Sequence, residues 1–293
     1  MRGRGFAIVI GFAALAVVVT VGIAVFHAVD DIVSGPSGDC SATVANHEVE
    51  ISGEQAENAT LITAIGLRRG LPARAVSIAL ATAFQESKLT NIDYGDRDSL
   101  GLFQQRPSQG WGTRAQILDR DYSTNAFYDA LVQVDGYEDM EITEAAQHVQ
   151  RSAYPSAYAD HEEDARALAS ALTGYSPASF SCDLDGGAPS EDSKRLESGL
   201  TARADAVRED LLEQFGSLDL ADLDGSSIDV SMRPVSEASK VRGWALAHYL
   251  VGNADRLDIR TVAFDGQVWT AGRDGWRRDE KQASDRVHVD VFD

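Results

Sequence analysis

Basic residues are scarce in this sequence and cysteines scarcer, and each shortage excludes something. Only 26 basic side chains face 46 acidic ones, a formal net charge of −20 at pH 7. Two of the cations, Arg2 and Arg4, stand in an N-terminal stretch without acids, so the rest of the chain is more acidic still. A surface of that sign repels phosphate backbones, which excludes nucleic acid as a partner. With 7 prolines and 25 glycines, the chain is neither collagen-like nor of low complexity. Its 44% hydrophobic and 25% charged residues are ordinary for a globular protein, and 293 residues suggest two domains.

Long apolar runs are missing except at the start. Residues 6–26 are uncharged and mostly apolar, long enough to cross a bilayer as a helix. Arg2 and Arg4 precede the run and Asp30 and Asp31 follow it, which leaves the N-terminus cytoplasmic and the bulk outside. The run exceeds a signal-peptide core and no small-x-small site follows Phe26. We therefore expect an uncleaved, single-pass anchor over 1–26 in the cytoplasmic membrane, with a cleaved signal peptide as the other reading. Residues 27–39 read as a polar tether spanning at most about 45 Å. The two cysteines, Cys40 and Cys182, suit an extracytoplasmic location. Their placement predicts one disulfide closing the intervening stretch as a unit, worth about 4–5 kcal/mol before strain. Two free buried thiols are the alternative.

Residues 40–182 read as a mainly α domain. Ser52 and Gln55 have capping-box spacing before Leu61, Ile62 and Ile65, and Gly70-Leu71-Pro72 stops that helix. A second helix, from about Pro72 to Lys88, is apolar on most sides and is expected to be central and buried. Turn formers fill 91–113, and helical periodicity returns over 122–134, 142–152 and 160–172. Residues 183–192 form a linker. The 193–293 segment combines a helix over 193–215, striped by Leu196, Leu200, Ala204, Val207 and Leu211, with a small α+β domain.

Glu86 stands near the end of the central helix, above Ala83, Thr82 and Ala79. Those small neighbours let other segments close over its carboxyl. Burial and the negative end of the helix dipole both favour the protonated acid. An acid held protonated near neutral pH is what cleavage of a glycosidic bond requires.

Glu86-Ser87 is followed by Gly101-Leu102-Phe103-Gln104 and then by Pro107. This resembles the soluble lytic transglycosylase and goose-type lysozyme superfamily, with Phe103 where the family usually has Met. The resemblance covers roughly residues 50–175 and implies a lysozyme-like fold acting on peptidoglycan glycan strands without a cofactor. It makes Glu86 the general acid/base and gives Ser87 a role in orienting the Glu or the substrate. Gln104 and Gln105 become a wall of the glycan cleft. The family's Tyr-Asn-Ala-Gly motif is absent, and Gln150, Ser152, Tyr154 and Tyr158 are candidate stand-ins, Gln150 and Tyr158 being taken as substrate-binding. Trp111 either stacks on a sugar or plugs a loop.

Asp93, Asp96 and Asp98 follow in the loop as turn formers, and no second catalytic carboxylate is assigned. Gly225, Asp229 and the stretch Asp285-Arg286-Val287-His288-Val289 faintly resemble the zinc D-Ala-D-Ala carboxypeptidase fold. Asp222 stands where that family has its first His, so no metal site is expected and the domain reads as a degenerate relative. The whole implies a membrane-anchored, extracytoplasmic lytic transglycosylase or muramidase, with cell-wall machinery proteins as possible partners. A non-catalytic wall-binding scaffold is the alternative.

Overall fold

The computed structural model describes residues 39–151, 157–185 and 194–292. The expected anchor over 6–26, the tether up to residue 38 and most of the 183–192 linker lie outside them. No described helix is long and apolar enough to cross a membrane.

The stretch expected to be helical from residue 40 opens with a β-hairpin instead. Strands β1 (Asp39–Val44) and β2 (His47–Ser52) pair antiparallel, from Asp39↔Ser52 to Val44↔His47. The physical reason is a period of two: Val49 and Ile51 turn inward between exposed Glu48 and Glu50, and Cys40 and Ala42 do the same on β1. A third strand, β3 (Phe180–Cys182), pairs antiparallel with β1 and sets Cys182 directly opposite Cys40. The two cysteines form the disulfide expected of them.

Helix α1 (Gly53–Arg68) starts from the Ser52–Gln55 capping box. Pro72 precedes α2 (Ala73–Ser87), whose alanines let neighbouring helices approach closely. At its end, Lys88 and Leu89 both adopt the left-handed conformation, at φ 56° and 57°. Helix α1 takes up the carbonyls this turn exposes: Gln55 Nε2 donates to Lys88 O and Asn58 Nδ2 to Leu89 O, each at 2.7 Å. The remaining helices of this half are α3 (Arg114–Leu118), α4 (Arg120–Leu131), α5 (Ile142–Gln150) and α6 (Glu162–Leu172).

In the C-terminal half, α7 (Ala202–Phe215) begins later than its apolar stripe suggests. Gly199 turns the chain at φ 85° and Thr201 caps the helix, so Leu196 lies outside it and is exposed. Strands β4 (Leu220–Asp224), β5 (Ser227–Ser231), β6 (Ile259–Phe264), β7 (Gln267–Thr270), β8 (Arg277–Arg278) and β9 (Arg286–Val291) form one antiparallel sheet, ordered β4-β5-β9-β6-β7-β8. Helix α8 (Glu237–Gly252) packs against it. Eight α-helices and two antiparallel sheets among the described residues make the chain α+β.

A single apolar core runs through both halves. Helix α8 lies so close to α1 that a Cβ on Gly252 would stand 2.6 Å from the Thr60 methyl. Next to that contact, Asn253 Nδ2 donates to Thr60 Oγ1 at 3.0 Å. Strand β3 serves both halves: Trp269 Nε1 donates to Cys182 O at 3.1 Å and Trp276 Nε1 to Phe180 O at 2.7 Å.

The Cys40–Cys182 bond closes a loop of sequence separation 142, which restricts the unfolded chain. Reduction, or the Cys40→Ser/Cys182→Ser double variant, is expected to lower unfolding free energy by about 2–5 kcal/mol. Urea denaturation followed by tryptophan fluorescence reads this directly. An unchanged midpoint would show that the cross-link contributes nothing.

Candidate functional site

Because α2 is buried on most sides, only its last turn carries polar chemistry outward. Glu86 stands there, partly buried, and Tyr158 Oη donates to its Oε1 at 2.7 Å. Tyr158 is fully buried in the 3-10 turn Ala157–His161, which packs on α2. Burial pushes the Glu86 carboxyl above its ordinary value, and hydrogen bonds from Tyr158 and Gln150 pull it part of the way back. None of these influences is a second carboxylate.

Gln150, at the end of α5, also donates from Nε2 to Phe103 O at 2.7 Å. Ser87 Oγ, almost fully buried, donates to Leu102 O at 2.8 Å. The Gly101–Gln104 segment is thus fastened to the Glu86 turn from two sides. Phe103 is buried and stacks on Phe127 with ring centroids 4.5 Å apart.

Of the two glutamines expected to wall the cleft, Gln105 is buried and Gln104 is half-exposed. Gln105 is 1% exposed and its amide donates to Ser123 O at 3.0 Å, so it faces the interior. Gln104, left-handed at φ 44°, donates from Nε2 to Tyr94 O at 3.2 Å and to Gly101 O at 3.3 Å. Both hold the loop in place. Asp98 does likewise, receiving Arg106 Nε at 2.7 Å and the Ser108 main-chain N–H at 2.8 Å, and these bonds hold its carboxyl far below the usual range. Asp93 lies 3.5 Å from Arg114. Ser152 and Tyr154, the other candidate stand-ins, lie outside the described residues.

A cleft of about 870 Å³ opens beside this turn, lined among others by Trp111, Val134, Met140, His148, Gln150 and Arg151. Gln150 belongs both to this lining and to the Glu86 hydrogen-bond set. Of the residues expected to bind substrate, Gln150 and Tyr158 are brought to Glu86. Nothing in the local sequence pattern around residues 109–111 and 130–151 showed that the rest would form one wall, since the contact joins loops and helix ends far apart in the chain.

The second constellation lies on the six-stranded sheet. Asp229 on β5 and His288 on β9 are cross-strand partners, as Gly225 and Asp229 are not. His288 Nδ1 meets Asp229 Oδ1 at 2.6 Å and its Nε2 meets Asp290 Oδ2 at 3.3 Å. Arg286 Nη1 donates to the other Asp229 oxygen at 2.9 Å. With both ring nitrogens directed at carboxylates, His288 acts as a cation rather than as a neutral metal ligand. Among the described residues no group of three or more His, Cys, Asp or Glu gathers to hold a metal ion.

Removing the Tyr158 hydroxyl takes away a bond that favours the Glu86 carboxylate. Tyr158→Phe is therefore expected to move the Glu86 titration, followed by carbon NMR of the labelled carboxyl, to higher pH. A shift downward, or none, would separate Tyr158 from Glu86.

Hydrogen bonding with Asp290, joined by Asp229, raises His288 to about 9 against the opposing effect of burial. A raised folded-state value contributes stability in full below about 6.5, and that contribution fades as pH rises toward 9. His288→Gln is expected to flatten the melting temperature between those two pH values. An unchanged slope would place the titration elsewhere.

Comparison with known proteins adds a partial match. No curated protein matches the chain. The family model described as VldE, C-terminal domain, matches residues 221–289, the stretch from β4 into β9 that carries Asp229 and His288.

Proposed function

We propose that this protein is a membrane-anchored, extracytoplasmic peptidoglycan-cleaving enzyme, a lytic transglycosylase or muramidase with Glu86 as its single general acid/base. The observation that carries this reading is a carboxyl raised by burial and bonded by Tyr158, with Gln150 shared between its hydrogen bonds and the lining of a cleft of about 870 Å³. In the first half of the reaction, protonated Glu86 gives its proton to the oxygen leaving N-acetylmuramic acid toward N-acetylglucosamine. Tyr158 then donates to the carboxylate so formed. In the second half that carboxylate accepts a proton, either from the sugar's own 6-hydroxyl, closing an anhydro ring, or from water.

The anhydro route suits the absence of a second carboxylate among the influences on Glu86. The 193–293 segment is read as a non-catalytic part that binds wall peptide or a partner. Its union with the first half through β3 and α8 supports a role in holding the catalytic half in shape.

The test is digestion of purified peptidoglycan by the full chain in nonionic detergent, beside Glu86→Gln. Mass spectrometry of the released muropeptides is expected to show anhydro ends, with the variant slower by about 10²–10⁴-fold. Reducing ends would make the enzyme a muramidase. Equal release by both proteins would remove Glu86 from the chemistry; none by either, while both sediment with the wall, would leave the scaffold reading. The same variant should melt higher than the native chain at pH 7 and less so at pH 4. A carboxyl raised in the folded state stabilises only below its unfolded value and loses that contribution as pH rises.

A further inference from the structure

The cleft departs in charge from the rest of this acidic chain. Most arginines here are spent on carboxylates: Arg69 on Asp129 at 2.6 Å, Arg106 on Asp98 at 2.7 Å, Arg256 on Asp210 at 2.7 Å. Arg151 lines the cleft, is exposed, and forms no side-chain hydrogen bond or ion pair among the described residues. It ends α5 in the left-handed conformation at φ 51°, a position where glycine costs least. His148, three residues earlier on the same face of α5, lines the same cleft and is likewise unpaired among the described residues. Arg151 stands at the negative end of the helix dipole, which favours a cation there.

A second arginine lies behind this wall. Arg74 donates to the main-chain oxygen of Met140, a lining residue, while its Nε is buried without a partner among the described residues and meets no carboxylate. The lining holds one carboxylate, Asp135, which forms an ion pair with neither Arg151 nor His148. With net charge −20 over the chain, Arg151 in the lining and Arg74 behind it are arginines without a carboxylate partner among the described residues. Screening confines their pull to within about 8 Å, the range of a ligand already seated.

We infer that the cleft recognises a carboxylate carried on a side arm of the sugar strand, with Arg151 and His148 as its specificity-determining residues. The inference rests on the glycan-cleaving reading above and deepens it. Trp111 offers the apolar face on which a sugar ring can lie, and Gln150 is shared between the cleft lining and the hydrogen bonds to Glu86. A charge-assisted hydrogen bond from a guanidinium then fixes which sugar of an alternating strand sits in the cleft, since only every second residue bears a side arm.

The test measures binding by the full chain carrying Glu86→Gln, in nonionic detergent, by calorimetry. The probes are an uncharged N-acetylglucosamine hexamer, a peptide-free tetrasaccharide of N-acetylglucosamine and N-acetylmuramic acid with free lactyl carboxylates, its methyl-ester form, and the peptide-bearing tetrasaccharide. The free acid is expected to bind about five- to tenfold more tightly than its ester. Arg151→Gln should bring that ratio close to one, and Arg151→Lys should keep part of it. If only the peptide-bearing probe shows the Arg151 dependence, the carboxylate recognised is that of the peptide; if the free acid shows it, that of the lactyl arm.

Equal binding of acid and ester together with an Arg151-independent peptide probe overturns the inference. So does binding of none of the four. Catalysis is tested apart from this: cleavage by the native chain without carboxylate preference sinks the inference alone. Preference without cleavage sinks the catalytic reading alone.

Discussion

Helix α2 is buried at ten of its fifteen positions, from Ala75 to Ser87, and its small side chains let α1, α5 and α6 lie against it. A helix enclosed in this way can present chemistry only where it stops. Its stop is correspondingly elaborate. Two consecutive left-handed residues turn the chain, Gln55 and Asn58 of α1 take the carbonyls, and Ser87 catches Leu102. The placement of Glu86, of the Gly101–Gln104 loop and of the cleft edge at Gln150 all follow from that one helix end.

The same enclosure explains the electrostatics. Burial shifts Glu86 toward its neutral acid, while hydrogen bonds from Tyr158 and Gln150 pull the other way. His288 shows the reverse: two carboxylates in reach of one ring keep it charged despite partial burial. One chain therefore holds a carboxyl raised chiefly by burial and a histidine raised by carboxylates, each shift decided by its neighbours rather than by residue type.

Much of this was legible in the sequence where the signal was local. The Ser52–Gln55 capping box, the buried α2 and the stop at Pro72 need only neighbours within a few residues. The Cys40–Cys182 bridge was also readable, because two cysteines leave a single pairing. The hairpin ahead of α1 was missed. Its alternation at Val49 and Ile51 is short, and its stabilising partner β3 arrives about 140 residues later. Leu196 was drawn into the α7 stripe by spacing alone, although Gly199 and Thr201 were already signs of a turn and a cap. Gln104 and Gln105 show a finer limit. Adjacent residues in a loop point in different directions, and only the closed loop decides that one holds Tyr94 and the other the interior.

Strand β3 is three residues long, yet it is gripped from both sides. The disulfide binds it to β1, and two indoles hook its carbonyls to the C-terminal half. A pull on the chain at Asp39 is therefore carried across a covalent bond into β3 and on toward the six-stranded sheet. Helices α1 and α6, which lie against α2, also pack on β1 and β2. Reduction of one bond would therefore loosen the first strand of the N-terminal sheet and the carbonyls on which both indoles rest.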